Sequence, residues 1–191
     1  TLESMVVVKN KPLIIFEMAN NHMGDMKHAD NLIKTYSKIA KKFPFDFAIK
    51  LQYRNLDTFI HPHFKKRMDI KYIKRFEETR LTTKQFDSLI KLIRREGFLA
   101  ISTPFDEVSV DLIDKQKLDY IKVASCSLTD WPLLERIAKS RKEVIVSTAG
   151  SSMKEIVSVV SYFTNRDIKV NVMQCVGKYP TKNNELNIGQ I

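Results

Sequence analysis

The chain has 191 residues, of which 43% are hydrophobic and 28% are charged, and its formal net charge at neutral pH is +10. This length and composition predict one globular domain that can bury a sizeable core. No apolar run approaches the roughly 18 residues that a membrane span needs, which excludes a membrane-spanning protein. The basic balance does not indicate a nucleic-acid partner, because its densest cluster, at residues 65–75, lacks an aromatic stacking platform or a groove-reading helix.

Two features of the sequence predict a cytoplasmic protein. Lys9 and Lys11 interrupt the early apolar run at residues 5–8, so no signal-peptide pattern is present. Cys126 and Cys175 have neither metal-binding nor redox spacing, which is typical of two reduced structural thiols.

The first predicted unit is a strand, a helix and a second strand. The strand covers residues 13–17 and ends on a carboxylate. Asp25 is the predicted N-cap of a helix whose apolar residues recur at helical spacing over 29–40, and Pro44 ends it. The second strand covers 46–52.

A long loop follows, with a short helix predicted near residues 70–76. Thr83 is the predicted cap of the next helix, and Gly97 stops it. The strand after it is predicted over 98–102. Because a proline disfavours helix at the residue before it, we expect Thr103 to be the last extended residue.

The second half of the chain repeats about every 21 to 25 residues. Further strands are predicted at 120–124, 143–147 and 168–173, and helices at 108–114, at 133–138 and from Ser151 or Ser152 to Phe163. Alternating strands and helices imply parallel strands with right-handed crossovers. Six units are visible, whereas a closed (β/α)8 barrel needs eight. The alternatives are an open six-stranded sheet and part of a barrel, and the motifs below favour the second.

Short polar motifs follow all six predicted strands. They lie at residues 17–22, 50–52, 102–105, 122–125, 147–150 and 174–181. Polar groups at the carboxyl ends of successive parallel strands are what barrel enzymes use to build active sites.

These motifs, in this order, resemble those of the N-acetylneuraminate (sialic acid) synthase family, and the resemblance extends over residues 13–188. It implies an α/β fold, a TIM (β/α)8-type barrel followed by a small antifreeze-like domain. Residues 1–191 would then be the N-terminal portion, with strands 7 and 8 and the antifreeze-like domain absent.

The family condenses phosphoenolpyruvate with an N-acetylmannosamine-type aldehyde sugar, and releases a 2-keto-3-deoxy sugar acid and phosphate in surface-polysaccharide biosynthesis. Such synthases are homodimers that need a divalent metal, Mn²⁺ or Mg²⁺.

The residue types fit this chemistry, since phosphoenolpyruvate carries a phosphate and a carboxylate that need cations and hydroxyl donors. The resemblance assigns catalytic roles to Glu17, Lys50 and Lys122. It assigns substrate-binding roles to Asn21, His22, Gln52, Thr103, Ser125, Ser147 and Tyr179. For five of these residues a structural alternative stays open. Lys50 and Lys122 could be solvated surface charges, and Glu17 could cap a helix or form an ion pair. His22 could hydrogen-bond only the backbone, and Tyr179 could pack a loop.

The chain also departs from the family pattern. Ser127 stands where typical members have a substrate-contacting glutamate, and Gln174, Val176 and Gly177 replace a histidine, a threonine and a polar residue. A lost hydrogen bond to a charged group costs on the order of 1–3 kcal/mol.

The family's two metal-binding histidines lie on strands 7 and 8, so we expect the metal ligands to be missing from this chain and the chain alone to be inactive. His22, His28, His61 and His63 are not at those positions. Two alternative functions remain. The first is a 3-deoxy-heptulosonate-type synthase, whose phosphosugar acceptor would need additional arginines, and it is disfavoured because Arg54 is the one arginine near a predicted strand end. The second is a non-catalytic sugar- or partner-binding barrel.

Overall fold

The computed structural model describes residues 11–191, so the apolar run at residues 5–8 lies outside the described part of the chain. Six parallel strands form one sheet in chain order: β1 (Leu13–Glu17), β2 (Asp46–Tyr53), β3 (Leu99–Pro104), β4 (Tyr120–Val123), β5 (Val144–Ser147) and β6 (Val170–Met173). Each strand pairs with the next in sequence. This is the strand order of a (β/α) barrel, and the six units form a half-barrel.

Helices alternate with the strands. They are α1 (Met26–Ala40), α2 (Leu56–Phe59), α3 (Lys71–Glu78), α4 (Thr83–Arg95), α5 (Glu107–Lys115), α6 (Trp131–Lys139) and α7 (Met153–Thr164), and 3-10 turns cover Pro62–Phe64, Ser125–Ser127, Asn183–Glu185 and Ile188–Gln190. Within residues 11–191, none of these helices has the length and apolarity needed to cross a bilayer.

Helix ends follow the expected capping chemistry, with one correction. Asp25 caps α1, and Ser152, rather than Ser151, caps α7 in a capping box with Glu155. The prediction that Thr83 caps α4 is wrong. Thr82 is the cap, because its hydroxyl accepts from the Gln85 amide while the Gln85 side chain returns to the Thr82 amide.

Strand β1 has the predicted bounds, and the other five strands differ from the predictions by at most two residues at either end. The largest functional difference is in β3, which continues to Pro104, so Thr103 is not its last extended residue. Proline is tolerated there because it is the final ladder position, and the next donor, the Phe105 amide, bonds the Tyr53 carbonyl at 3.1 Å. In β4, the strand stops at Val123 because a 3-10 turn begins at once.

The core has two layers separated by the sheet. The larger apolar cluster lies between the outer sheet face and the helices and includes Ile49, Leu51, Ala100, Ile121 and Val146. A smaller cluster on the inner face is built from Ala48, Ile101 and Ile145, with Leu13, Ile15, Leu99 and Tyr120 packed against it. Since side chains alternate across a strand, the inner cluster fixes which residues point inward further along each strand.

Candidate functional site

Strand alternation places a polar layer directly above the inner apolar layer. Ala48 faces inward, so Lys50 and Gln52, two and four residues further along β2, share its face. Six of the predicted site residues share this inner face through the same rule: Glu17 on β1, Lys50 and Gln52 on β2, Thr103 on β3, Lys122 on β4 and Ser147 on β5. The polar residues are therefore collected at the carboxyl ends of five adjacent strands.

Lys50 links three strands through its ammonium group. The group forms an ion pair with Glu17 and donates a hydrogen bond of 3.2 Å to the Thr103 hydroxyl. The residue is only 8% exposed. A buried cation requires such partners because charge removed from water is costly.

Lys122 is buried without an ion pair among the described residues. Its ammonium donates to the Ser147 hydroxyl and, at 3.2 Å, to the Val123 carbonyl. Burial, with a smaller contribution from the positive charge of Lys50, lowers the pKa of Lys122 from 10.5 to about 8. At neutral pH the residue is still mostly protonated, so a desolvated cation is available to an incoming anion.

Hydroxyl groups tie the loops of the site to one another. The Ser125 hydroxyl accepts a 3.2 Å hydrogen bond from the Ala149 amide, and Thr148 donates a 2.9 Å bond to the Met173 carbonyl. Ser125 begins the turn after β4, whereas Ala149 follows β5. These bonds hold neighbouring strand ends in register while leaving the Ser125 hydroxyl proton free to donate.

A cavity of about 320 Å³ opens among these groups. Its polar wall consists of Glu17, Lys50, Gln52, Thr103, Lys122, Ser125 and Ser147, and its apolar wall of Ile15, Phe105, Ala124 and Met173. Two ammonium groups face one carboxylate, so the wall carries a net positive charge. Such a wall is suited to a small ligand with more than one negative charge.

Three predicted residues lie outside this cavity lining. His22 is buried, its Nδ1 accepts from the Gly24 amide at 3.1 Å, and burial lowers its pKa. Asn21 is exposed in the same loop, and the Tyr179 ring is fully exposed. The substrate-binding roles of these residues stay predictions, and His22 has the backbone contact that a structural role requires.

Sequence reasoning missed two contributors. Phe105 lines the cavity, although the sequence marks it only as the last residue of the motif at 102–105. Arg54 stands out in the sequence only as the one arginine near a predicted strand end, yet its guanidinium contacts Gln52 and three aromatic rings. No sequence period indicates this contact, because Phe59, Phe76 and Phe105 approach Arg54 only in the folded chain.

The described residues do not form the metal site that the resemblance implies. Within residues 11–191, no group of three or more His, Cys, Asp or Glu side chains is placed to hold a metal ion. His61 and His63 lie with ring centres 5.2 Å apart, and no carboxylate or thiol completes a ligand set with them.

The comparison with known proteins decides the family. Residues 38–191 match the NeuB family. The chain belongs to the NeuB family. This NeuB chain is 30% identical to N,N'-diacetyllegionaminic acid synthase of Campylobacter jejuni over 93% of its length and 55% of that relative. It spans about half the length of the curated relatives it matches.

Solved structures agree with the fold of this NeuB chain. Spore coat polysaccharide biosynthesis protein E from Chromobacterium violaceum superposes with a TM-score of 0.91 at 54% identity, over 94% of this chain and 54% of that one. An N-acetylneuraminic acid synthetase from Leptospira borgpetersenii, in complex with citrate, superposes with a TM-score of 0.80 at 26% identity, over 95% and 60%. The prediction of a partial (β/α) barrel of the sialic acid synthase type is confirmed.

Proposed function

We propose that the intact protein condenses phosphoenolpyruvate with an N-acetylmannosamine-type aldehyde sugar, giving a sialic-acid-like 2-keto-3-deoxy sugar acid and phosphate for surface polysaccharide. One observation carries the proposal: Lys50 and Lys122 line one cavity with three hydroxyl groups at the carboxyl ends of the strands. Phosphoenolpyruvate presents a phosphate and a carboxylate on a three-carbon frame. Two cations spaced around a small cavity with hydroxyl donors match that charge pattern.

In this proposal the two lysines bind the anionic groups, and Thr103, Ser125 and Ser147 orient them. The π electrons of phosphoenolpyruvate form a bond from carbon 3 to the aldehyde carbon, and water adds to carbon 2. One proton of this water ends on the former aldehyde oxygen and the other on the departing phosphate. The bond between carbon 2 and the bridging oxygen then breaks, so phosphate leaves with both bonding electrons and a keto group remains. Lys50 and Lys122 stabilise the negative charge on the departing phosphate, because fixed charges in a desolvated site need no reorganisation.

Glu17 is the carboxylate of the proposed site. It is the acidic side chain in the cavity wall, and it is half exposed while paired to Lys50. This placement suits a group that orients the aldehyde or accepts a proton from the attacking water. Gln52 lies on the same face and would contact the sugar, and Asn21, His22 and Tyr179 would complete the sugar site.

The relatives support the substrate class. Those related over most of this chain include N,N'-diacetyllegionaminic acid synthase and two pseudaminic acid synthases of Campylobacter jejuni. Spore coat polysaccharide biosynthesis protein SpsE of Bacillus subtilis matches over all of it. We further propose a cytoplasmic homodimer that requires Mn²⁺ or Mg²⁺, with the ligands outside residues 11–191.

The test uses the intact protein, phosphoenolpyruvate labelled with ¹⁸O at the bridging oxygen, Mn²⁺ and a panel of 2-acetamido aldehyde sugars. The expected result is a 2-keto sugar acid together with phosphate that retains the label. Label left in the sugar acid, or no product with any sugar, would contradict the proposal. Lys122→Met should abolish product, whereas Lys139→Met, at an exposed lysine on α6, should not.

Ser127 gives the non-catalytic alternative a specific basis. It is buried beside Cys126, with the sulfur 3.9 Å from its hydroxyl, in the position where typical members carry a carboxylate. If the absence of a carboxylate at Ser127 abolishes the condensation, calorimetry should show that the intact protein binds phosphoenolpyruvate or a sugar, and the product assay should show no sugar acid.

A further inference from the structure

Arg54 lies just beyond β2, enclosed by aromatic rings. Its guanidinium carbon is 3.7 Å from the ring centre of Phe105, 4.6 Å from that of Phe76 and 5.9 Å from that of Phe59. The rings come from three separate segments of the chain. A guanidinium held against several aromatic faces has little freedom to rotate, because each ring attracts the cation and excludes water from it.

The polar contacts of this guanidinium are few. Its Nη1 donates a 3.0 Å hydrogen bond to Oε1 of Gln52, and its buried Nε has no partner within residues 11–191. None of the carboxylates in that range forms an ion pair with it. Burial lowers the pKa of Arg54 to about 10, despite the nearby Asp106 and Cys126, so the group remains a cation at neutral pH. The amide oxygen of Gln52 is thus the main acceptor for a desolvated charge.

This bond fixes the orientation of the Gln52 amide. Arginine has donors and no acceptor, so the Gln52 atom that faces it must be the carbonyl oxygen. The Nε2 group is then what Gln52 can present to the cavity that it lines. Without Arg54 the amide could turn over and offer either a donor or an acceptor to the same ligand.

We propose that Arg54 is a positioning residue that locks Gln52 as a hydrogen-bond donor, and that this donor recognises an oxygen atom of the acceptor sugar. The inference rests on the proposed function for the identity of the ligand. Arg54 does not line the 320 Å³ cavity, so it would set the specificity of the sugar site from behind Gln52. Arg54 acts only through Gln52, so its removal should matter only while the Gln52 amide is present.

The kinetic test compares Arg54→Met, Gln52→Ala and the double variant in the intact protein. Arg54→Met should raise the KM for the sugar about five- to tenfold, because the sugar loses an oriented hydrogen bond from the neutral Gln52 amide. The KM for phosphoenolpyruvate and kcat should change less than about twofold. In the Gln52→Ala background, Arg54→Met should add less than about a twofold effect. Arg67→Met, at an exposed arginine paired with Asp69, is the matched control.

A second variant distinguishes the proposed positioning role from a loss of folding in Arg54→Met. Phe76→Leu keeps Arg54 and Gln52 but removes one ring of the enclosure, and it should raise the sugar KM in the same direction. An equal effect of Arg54→Met with and without the Gln52 amide, or parallel rises in both KM values, would overturn the inference.

A measurement without turnover separates this inference from the proposed function. The side-chain amide signals of Gln52, assigned by Gln52→Ala, should shift in ¹⁵N-resolved spectra of Arg54→Met and stay unchanged in Arg67→Met. Unshifted signals would overturn the inference even in an active enzyme. Absence of product from the wild-type protein with every sugar would instead refute the proposed function, and the spectra would still test whether Arg54 orients the Gln52 amide.

Discussion

Glu17 and Lys50 are register partners at the ends of β1 and β2, and their side chains form an ion pair in the wall of the cavity. The pair neutralises one of the two lysines, whereas Lys122 has no such partner among the described residues. The two cations of the site are therefore not equivalent. Lys50 is held by a carboxylate and a hydroxyl, and Lys122 is the one whose charge an anionic ligand would compensate.

Replacement of Glu17 by glutamine should separate binding from chemistry. Glu17→Gln removes a negative charge beside an anion site, so the KM for phosphoenolpyruvate should stay equal or fall. If the carboxylate orients the aldehyde or accepts a proton, kcat should fall about 100-fold. Steady-state kinetics on the intact protein measure both constants.

Glu135→Gln is the control for Glu17→Gln, because Glu135 is exposed on α6. A large rise in the KM for phosphoenolpyruvate with an unchanged kcat would show that Glu17 only supports the anion site.

The pKa of Lys122 predicts the alkaline limit of activity. Its folded-state pKa is about 8, so the ammonium that binds the anion is lost as the pH rises through that value. The ratio kcat/KM for phosphoenolpyruvate reports the free enzyme, and it should fall about tenfold per pH unit above 8. A profile that stays flat to pH 9.5 would rule out Lys122 as the essential cation.

The buried Lys122 should also lower the free energy of unfolding, because burial lowers its pKa below the value of 10.5 that it has in the unfolded chain. The unfolded chain binds the extra proton between about pH 8 and 10.5, so the free energy of unfolding should rise with pH across that window. Lys122→Met should remove this rise and increase the free energy of unfolding at pH 7 by on the order of 2 kcal/mol. Urea titrations at pH 7 and 9.5 test this prediction. The same rise in unfolding free energy between these pH values in the wild-type protein and in Lys122→Met would contradict it.

The buried His22 should make the fold sensitive to acid. Burial lowers its pKa below 6.5, so its contribution to stability is present above pH 6.5 and is lost as the pH falls through the folded-state pKa. His22→Leu should lower the free energy of unfolding at pH 7.5 by about 1–3 kcal/mol, because the Gly24 amide loses its acceptor. It should also make the loss of stability between pH 6.5 and 5 shallower, whereas His63→Leu, at an exposed site, should change neither.

Two glycines with similar backbone angles provide a matched comparison of packing. Gly24 has φ of +72° and Gly150 has φ of +75°. A Cβ at Gly24 would lie 2.6 Å from the Glu78 carbonyl oxygen, whereas one at Gly150 meets nothing within 4 Å. Gly150→Ala should cost about 1 kcal/mol of unfolding free energy from its backbone angle alone. Gly24→Ala should cost about 3 kcal/mol or more in the same denaturant titration, and equal costs would refute the close approach.

Most of the fold was predictable because its signals are local. Apolar runs of strand length, helix caps such as Asp25 and stops such as Gly97 depend on residues a few positions apart. The errors were also local. Thr82 rather than Thr83 caps α4 because the capping box with Gln85 satisfies two backbone donors at once. Strand β3 includes Pro104 because this residue occupies the final ladder position, opposite Tyr53.

The amino-acid order also determined which residues could share the site, because alternation along each strand places Lys50, Thr103 and Lys122 on the inner face once the strands are parallel. Their individual roles were decided by tertiary structure. Desolvation and neighbouring charge depend on atoms distant in sequence, so the pairing of Lys50 with Glu17 and the lowered pKa of Lys122 were not readable from spacing. The surroundings of Arg54 were not readable from spacing either. The rings of Phe76 and Phe105 that pack on its guanidinium lie up to about 50 positions away in the sequence, and no local pattern indicates that they meet.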